Sequence, residues 1–426
     1  MNELGLAEPM MRVLRQRKIT SPTPIQAQAI PVLLDGHDVV GIAQTGTGKT
    51  AAFVLPILQQ ISQAPARAKA KHCRALILAP TRELAAQIMD QVRHFSRYMK
   101  ISSTLIVGGA KYPPQIKSLA RGVDIVVATP GRLIDHMESG NIQLPGTSTL
   151  VLDEADQMFD MGFLPPIKQI LKACGSNRQT TLMSATMPKP IRALCQEFLH
   201  DPVEISVAAQ AQPIETIEQQ VRHVPAASKL DVLLEILGDA NMQRGIVFTR
   251  TKHGADRLAK KLVQAELSAD ALHGDKNQRQ RERILAAFKK GKIRILIATD
   301  VAARGIHVDG VSHVINYDVP TMAEAYVHRI GRTARAGQSG CAISLCDAAE
   351  LPALRSIERL IKAKIPVHGP EPVQEQKSAK PRKPQRRRPQ PARPRGAAKP
   401  GPNHASRPRK ARTSKANARK QIQAAA

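Results

Sequence analysis

The run Ala43-Gln44-Thr45-Gly46-Thr47-Gly48-Lys49-Thr50 constrains this chain more than any other stretch. It follows the apolar residues Val39-Val40-Gly41-Ile42 and precedes a helix-like segment, Ala51 to Gln59, so it reads as strand, glycine turn, helix. Such a turn points backbone N–H groups inward around a phosphate, and the helix N-terminus adds the positive end of its dipole. There Lys49 offers a point charge to β- and γ-phosphates, and Thr50 a hydroxyl for Mg²⁺. The first glycine of the general G-x-x-x-x-G-K-[ST] pattern is Ala43 here, so the stretch needs a partner. The run Leu150-Val151-Leu152-Asp153-Glu154 supplies it, as a buried-strand pattern that ends in two carboxylates. Asp153 is placed to hold Mg²⁺ and Glu154 to orient and deprotonate a water. Alone, either run would be a loop glycine cluster or a solvated acidic turn. In this order, each at the end of an apolar strand, they imply a site for ATP and Mg²⁺.

Strand-like apolar runs recur along the chain, separated by helix-like stretches. In the first half they are Val39–Ala43, Ala75–Ala79, Thr104–Val107, Asp124–Ala128, Thr149–Asp153 and Thr180–Ser184. In the second half they are Gly245–Thr249, Ala269–Leu272, Arg294–Ala298, His313–Tyr317 and Cys341–Leu345. This alternation predicts α/β architecture with parallel sheets covered on both faces. Small polar residues between Val207 and Pro213 mark a linker between two such domains. A helical run over Glu350–Lys362 closes the second domain near Pro366. The predicted division is 1–207, a linker at 208–215, a second domain at 216–366, and a tail at 367–426.

The 426 residues carry a formal net charge of +28, which points to a polyanionic partner, nucleic acid or an anionic membrane. No apolar run has the length of a spanning helix and no signal-peptide pattern opens the chain, which weakens the membrane reading. Five scattered cysteines without zinc spacing suit a reducing cytosol and a cytoplasmic protein. From Lys377 onward there are 17 Lys/Arg, 8 Pro and no Asp or Glu. Such a segment cannot bury enough apolar surface to order itself, so the tail is expected to be disordered. It reads as a solubilising extension or, more sharply, as an electrostatic tether for RNA.

Further motifs complete a resemblance. Pro22-Thr23-Pro24-Ile25-Gln26, Pro80-Thr81-Arg82-Glu83-Leu84-Ala85, Thr129-Pro130-Gly131-Arg132 and Ser184-Ala185-Thr186 fall in the first half. Val247-Phe248-Thr249-Arg250-Thr251, Thr299-Asp300-Val301-Ala302-Ala303-Arg304-Gly305 and His328-Arg329-Ile330-Gly331-Arg332-Thr333-Ala334-Arg335 fall in the second. With the two ATP runs, this ordered set resembles the DEAD-box ATP-dependent RNA helicases, of the bacterial RhlE-like kind, over about residues 1–366. The resemblance implies two tandem RecA-like domains that hydrolyse ATP when they close together and that separate short RNA duplexes locally. It implies that Gln26, with Thr23 and Ile19, meets the adenine, where an amide can both donate and accept. Gln26 also reads more plainly as a helix-start residue after prolines. Arg332 and Arg335 are implied to clamp the γ-phosphate, three apart and on one face if their segment is helical. Asp156, Ser184, Thr186 and His328 are implied to couple the nucleotide to the domain interface. The implied RNA contacts are Pro80, Thr81, Arg82, Gly108, Gly109, Thr129, Gly131 and Arg132, then Arg281 and Thr299 in the second domain. They read backbone more than bases, so little sequence preference is expected. The core is expected to act as a monomer, with ribosomal precursors or RNA-decay proteins as partners.

The chain also departs from the family. Met1 and Ile19 stand where aromatics near the adenine are usual, and His307 stands where an aspartate usually meets the ribose. An imidazole accepts through one nitrogen at most. ATP binding is therefore expected to be weak for the family, and His307→Asp to tighten it; unchanged affinity would end that idea. Ala334 replaces a common glycine between the two arginines, with little effect expected if the segment is helical. Three other readings stay open on sequence: an ATP-switched RNA clamp, a DNA helicase, and an annealer driven by the tail alone.

Overall fold

The computed structural model describes residues 1, 4–44, 46–64, 66–207, 217–240, 242–303, 308, 310–334 and 339–369, without the side chains of Val301 and Ala303. Thr45, the linker 208–215, His307, Arg335 and the basic tail lie outside the described residues.

The first domain is a seven-stranded sheet: β1 (Val39–Ile42), β2 (Cys73–Leu78), β3 (Ser103–Ile106), β4 (Val123–Ala128), β5 (Thr149–Leu152), β6 (Gln179–Ser184) and β7 (Val203–Ser206). The second is six-stranded: β8 (Ile217–His223), β9 (Gly245–Phe248), β10 (Ala269–Leu272), β11 (Ile295–Ala298), β12 (His313–Asn316) and β13 (Gly340–Cys346). Their orders are β3-β4-β2-β5-β6-β1-β7 and β10-β11-β9-β12-β13-β8, and the paired strands run parallel throughout. Alternate residues feed two cores, one on each face of the first sheet. Ile77, Val127 and Val151 pack to one side, while Leu76, Leu78, Val126, Leu150 and Leu152 pack to the other. Burial on both faces explains why these strands are continuous apolar runs.

Two strands left no such run. In β7 only Ile205 is buried, and in β8 only Ile217 and Val221 are. Both lie at sheet edges, where half the surface meets water and polar residues are tolerated. The second domain also runs on past Pro366. Val221 N–H donates to Pro366 O at 2.8 Å and His368 N–H to Val221 O at 2.7 Å, a short parallel bridge along the outer edge of β8.

Strand order sorts the loops that matter. Parallel strands deliver their ligand-binding loops at their C-terminal ends. In the first sheet β3, β4 and β2 lead into Gly108, Thr129 and Thr81, while β5, β6 and β1 lead into Asp153, the Ser184 turn and Gly46. The implied RNA loops and ATP loops therefore occupy neighbouring halves of one sheet edge.

Near the end of the second domain, the structure corrects the helical reading of the arginine run. The helix Ala323–Ile330 ends at Gly331, before Arg332. Ala334 sits at φ +53° in left-handed backbone. Glycine adopts that conformation without the Cβ clash that costs alanine about 1 kcal/mol, so Ala334→Gly is expected to stabilise this domain by about that amount in a denaturant titration.

Candidate nucleotide and RNA site

Gly48 caps the helix Lys49–Gln63 at φ +89°. A Cβ there would lie 2.4 Å from Gln26 Nε2, so the loop backbone and the start of the helix Pro24–Leu34 are packed as only glycine permits. Gln26 is buried, and both ends of its amide are engaged. Its Oε1 accepts from Thr23 N–H at 3.0 Å, and its Nε2 donates to Gly48 O at 3.1 Å. The helix-start role and the link to the phosphate loop thus coexist in one side chain. Thr47 Oγ1 donates to Gln44 O at 2.8 Å and tightens the turn. Buried Lys49 donates from Nζ to Ala43 O at 2.8 Å, across the concave side of the loop. A cleft of about 520 Å³ opens here, lined by Ile19, Gly46, Gly48, Lys49, Thr50, Asp153 and Glu154. Met1 packs into the apolar core of the domain, and Ile19 lies half-buried against that core.

Asp153 and Glu154 are both buried. Asp153 Oδ1 accepts from Glu154 N–H at 3.0 Å, and Glu154 takes left-handed backbone at φ 54°. Strain of this kind in a non-glycine residue persists where the surroundings over-determine it. Desolvation pushes both carboxyls above the ordinary carboxylate range, and Asp153 pushes Glu154 further the same way. Lys49 opposes the shift on both, and Arg332 of the second domain opposes it on Glu154. Lys49, Glu154, Asp156 and Thr186 of the first domain share a cavity of about 110 Å³ with His328 and Arg332 of the second. Arg332 is buried, and its Nε donates to His328 O at 3.2 Å.

Asp156 is tied to the Ser184 turn. Its Oδ2 accepts from Ala185 N–H at 3.1 Å, Thr186 N–H at 2.9 Å and Thr186 Oγ1 at 3.0 Å. Ser184 Oγ accepts from Asp156 N–H at 3.3 Å and donates to Thr186 O at 2.6 Å. Movement of either loop therefore moves the other.

Along the other half of the edge, Thr81 caps the helix Arg82–Phe95 by accepting Leu84 N–H at 3.2 Å, and Pro80 is buried beside it. Thr129 precedes the helix Pro130–Glu138, and Gly131 opens on free space. Arg82 lies across the glycine pair; a Cβ on Gly108 would be 3.2 Å from its Nη2, and one on Gly109 2.3 Å from its Nη1. Burial holds the Arg82 guanidinium below its ordinary range; Glu83 opposes this, and the charges of Arg281 and Arg132 add to it. Three guanidiniums thus share one neighbourhood. Arg281 faces the first domain. Its Nε donates to Glu83 Oε1 at 2.7 Å and its Nη1 to His273 O at 3.4 Å, while Arg82 Nη1 donates to Gln278 Oε1 at 3.4 Å. Thr299 follows β11 half-buried, with its N–H on Leu272 O at 3.4 Å.

Sequence reasoning missed Arg329. It is buried and holds Asp300 with two bonds, from Nε at 2.5 Å and Nη2 at 2.7 Å. Its Nη1 donates to Asn316 Oδ1 at 3.0 Å and Asp318 O at 2.8 Å, and its guanidinium lies 4.9 Å from the Phe248 ring centroid. The signal was there: Tyr326, Arg329 and Ile330 repeat at three- and four-residue spacing, which puts the arginine on the buried face of its helix.

Both halves of the chain match known proteins. Residues 23–194 match the family model of the DEAD/DEAH box helicase, and residues 228–337 that of the helicase conserved C-terminal domain. The ATP-dependent RNA helicase CshA of Listeria monocytogenes is 43% identical over 370 residues, covering 87% of this chain and 70% of the relative. A point variant of yeast (S. cerevisiae) Dbp5 bound to RNA and ADP BeF3 superposes with a TM-score of 0.78 at 32% identity, over 86% of this chain and 94% of that one. The same Dbp5 variant bound to Nup159, a Gle1 variant, IP6 and ADP superposes with a TM-score of 0.59 at 31% identity, over 85% and 95%. With both halves matched and the helicase loops gathered at the strand ends, the chain belongs to the DEAD/DEAH box helicase family and is an ATP-dependent RNA helicase.

Proposed function

We propose that hydrolysis in this helicase waits on domain closure, and that closure is what loosens short RNA duplexes or RNA–protein contacts. The observation that carries this reading is the cavity shared by Glu154 and Arg332, a carboxylate of one domain and a guanidinium of the other. The chain's closer likeness to the RNA- and ADP BeF3-bound Dbp5 variant than to another state of that variant supports the same arrangement.

In this reading Glu154 takes the proton of the attacking water, aided by the raised proton affinity of its carboxyl. Lys49 and Arg332, with Arg335, balance charge on the phosphates, and His328 backs Arg332. Gln26 would offer its spare lone pair and spare N–H to the adenine, with Thr23 and Ile19, and the run Gln44 to Gly48 would hold phosphate; His307, by its place in the sequence, would serve the ribose. Mg²⁺ suits the donors, since the Thr50 hydroxyl and the Asp153 carboxylate are hard oxygens. Among the described residues no group of three or more His, Cys, Asp or Glu could hold a metal ion, so the rest of its shell would come from phosphate and water. Bound there, the ion would draw off phosphate charge. Pro80, Thr81, Arg82, Gly108, Gly109, Thr129, Gly131, Arg132 and Thr299 line the RNA path, and Arg281 latches its two halves through Glu83. Asp156, Ser184 and Thr186 transmit the state of the ATP loops. No helix among the described residues is long and apolar enough to cross a membrane. A cytoplasmic role on ribosomal precursors or with RNA-decay proteins, by a monomeric core, is part of the same proposal.

The test is steady-state ATP hydrolysis by the full chain and by a chain ending at Pro370, with no nucleic acid, with single-stranded RNA and with matching DNA. RNA-specific stimulation kept after truncation is the expected result. Stimulation equal with DNA, or lost with the tail, would overturn the proposal.

A further inference from the structure

Tyr112 is the first residue of the helix Tyr112–Ala120, just after the loop that carries Gly108 and Gly109. Its ring lies flat against His136, with centroids 4.2 Å apart and planes inclined by 4°. Arg132, one turn before His136 on the helix Pro130–Glu138, places its guanidinium carbon 5.2 Å from the Tyr112 centroid. The phenol reaches Asp135 O and Ser139 Oγ, each at 3.3 Å, and accepts from Asn141 Nδ2 at 3.4 Å. The start of one helix is thereby locked to the end of the other.

His136 beneath the ring is fully buried. Its Nδ1 faces Asn141 Nδ2 at 3.4 Å; the amide can only donate, so Nδ1 accepts. Burial, and after it Arg132, hold this imidazole below its ordinary range, so the stack is neutral and sets no like charge against the guanidinium. Arg132 is gripped from two more sides. Its Nε donates to Asp135 Oδ2 at 3.2 Å and its Nη1 to Ala110 O at 3.3 Å. Its Nη2 finds no partner among the described residues.

We propose that Tyr112, supported by His136, is a positioning residue that fixes the Arg132 guanidinium so that its Nη2 edge meets an RNA phosphate. The inference rests on the reading of Arg132 as an RNA contact. A free arginine must give up rotamer freedom when it grips a phosphate; one already held between a ring, a carboxylate and a carbonyl has less to give up. The face of the ring does the holding, so the aromatic ring matters more than the phenol.

The experiment measures the RNA concentration for half-maximal ATPase, kcat at saturating RNA, and the salt dependence of RNA binding. It compares the full chain with Arg132→Ala, Tyr112→Phe and Tyr112→Leu. Arg132→Ala should raise the half-maximal RNA concentration about tenfold and flatten the slope of log K against log salt by about one, as for one lost phosphate contact. Tyr112→Leu should raise that concentration about threefold to tenfold, with kcat falling less than about twofold, and Tyr112→Phe should stay within about twofold of the parent. If Tyr112→Leu fails to fold, His136→Gln, which removes the ring beneath Tyr112, is read by the same numbers. Parent-like RNA binding in Tyr112→Leu or its substitute, beside a weakened Arg132→Ala, would overturn the positioning role alone. Parent-like binding in Arg132→Ala would overturn the RNA reading of Arg132 and the inference with it.

Discussion

Glu154→Gln is expected to lower ATP turnover by about 1,000-fold at saturating RNA, the scale of losing a positioned general base, while ATP and RNA still bind. The amide keeps the shape of the side chain in its buried, left-handed backbone position but cannot take a proton. The same substitution should change how stability depends on pH. Desolvation first, and Asp153 second, push the folded carboxyl up to about 7. Between the ordinary carboxylate range and that value the folded protein holds more protons than the unfolded chain. Unfolding stability of the nucleotide-free protein therefore falls as pH rises from about 5 toward 8. Glutamine does not titrate, so the variant should lose part of that slope and gain stability at pH 8. Thermal midpoints at pH 5, 6.5 and 8, with turnover at each, check both halves. A variant that hydrolyses ATP at the parent rate would remove Glu154 from the chemistry.

Arg329→Lys should cost about 3 kcal/mol of stability, at the low end for breaking a buried ion pair because Asp300 is partly exposed, and should abolish most RNA-stimulated turnover. One ammonium cannot replace a fork that holds both Asp300 oxygens, Asn316 Oδ1 and Asp318 O together and also lies against Phe248. These partners join β12, the Asp300–Ala303 helix and the helix that leads to Arg332, so loosening them frees the arginine that faces Glu154. Urea unfolding and RNA-stimulated ATPase of the variant are the measurements. A midpoint and a rate equal to the parent's would show that one bond suffices.

Residues whose chemistry dictates their identity were legible in the sequence. A phosphate loop needs glycine where φ is positive, a lysine and a hydroxyl, and Gly46 to Thr50 announce all three in one short run. The buried parallel strands were legible too, because burial on both faces leaves an unbroken apolar stretch. Contacts between distant segments were not. Glu83 and Arg281 lie 198 residues apart, and nothing local to either states that they meet. Gln26 shows its helix-start role in the fold, and its bond to Gly48 O was in neither of its two readings, because only the fold brings Gly48 beside it. The helical reading around Ala334 failed because the backbone turns left-handed at that residue, which periodicity alone does not reveal. Likewise Tyr112 and His136 are ordinary letters until two helices bring their rings parallel.

The bridge between Val221 and Val367 bears on how this protein can be handled. An uncovered outer strand is a template for pairing with another molecule, and proteins that leave one bare tend to self-associate. Here both backbone groups of Val221 are taken by Pro366 and His368 of the same chain. A truncation placed at the change in composition, after Pro366, would remove His368 and bare that edge. A chain cut there should dimerise or precipitate in concentrated solution, while one cut after Gly369 should remain dispersed. Three residues at the border of the folded protein thus act as a guard against its own aggregation.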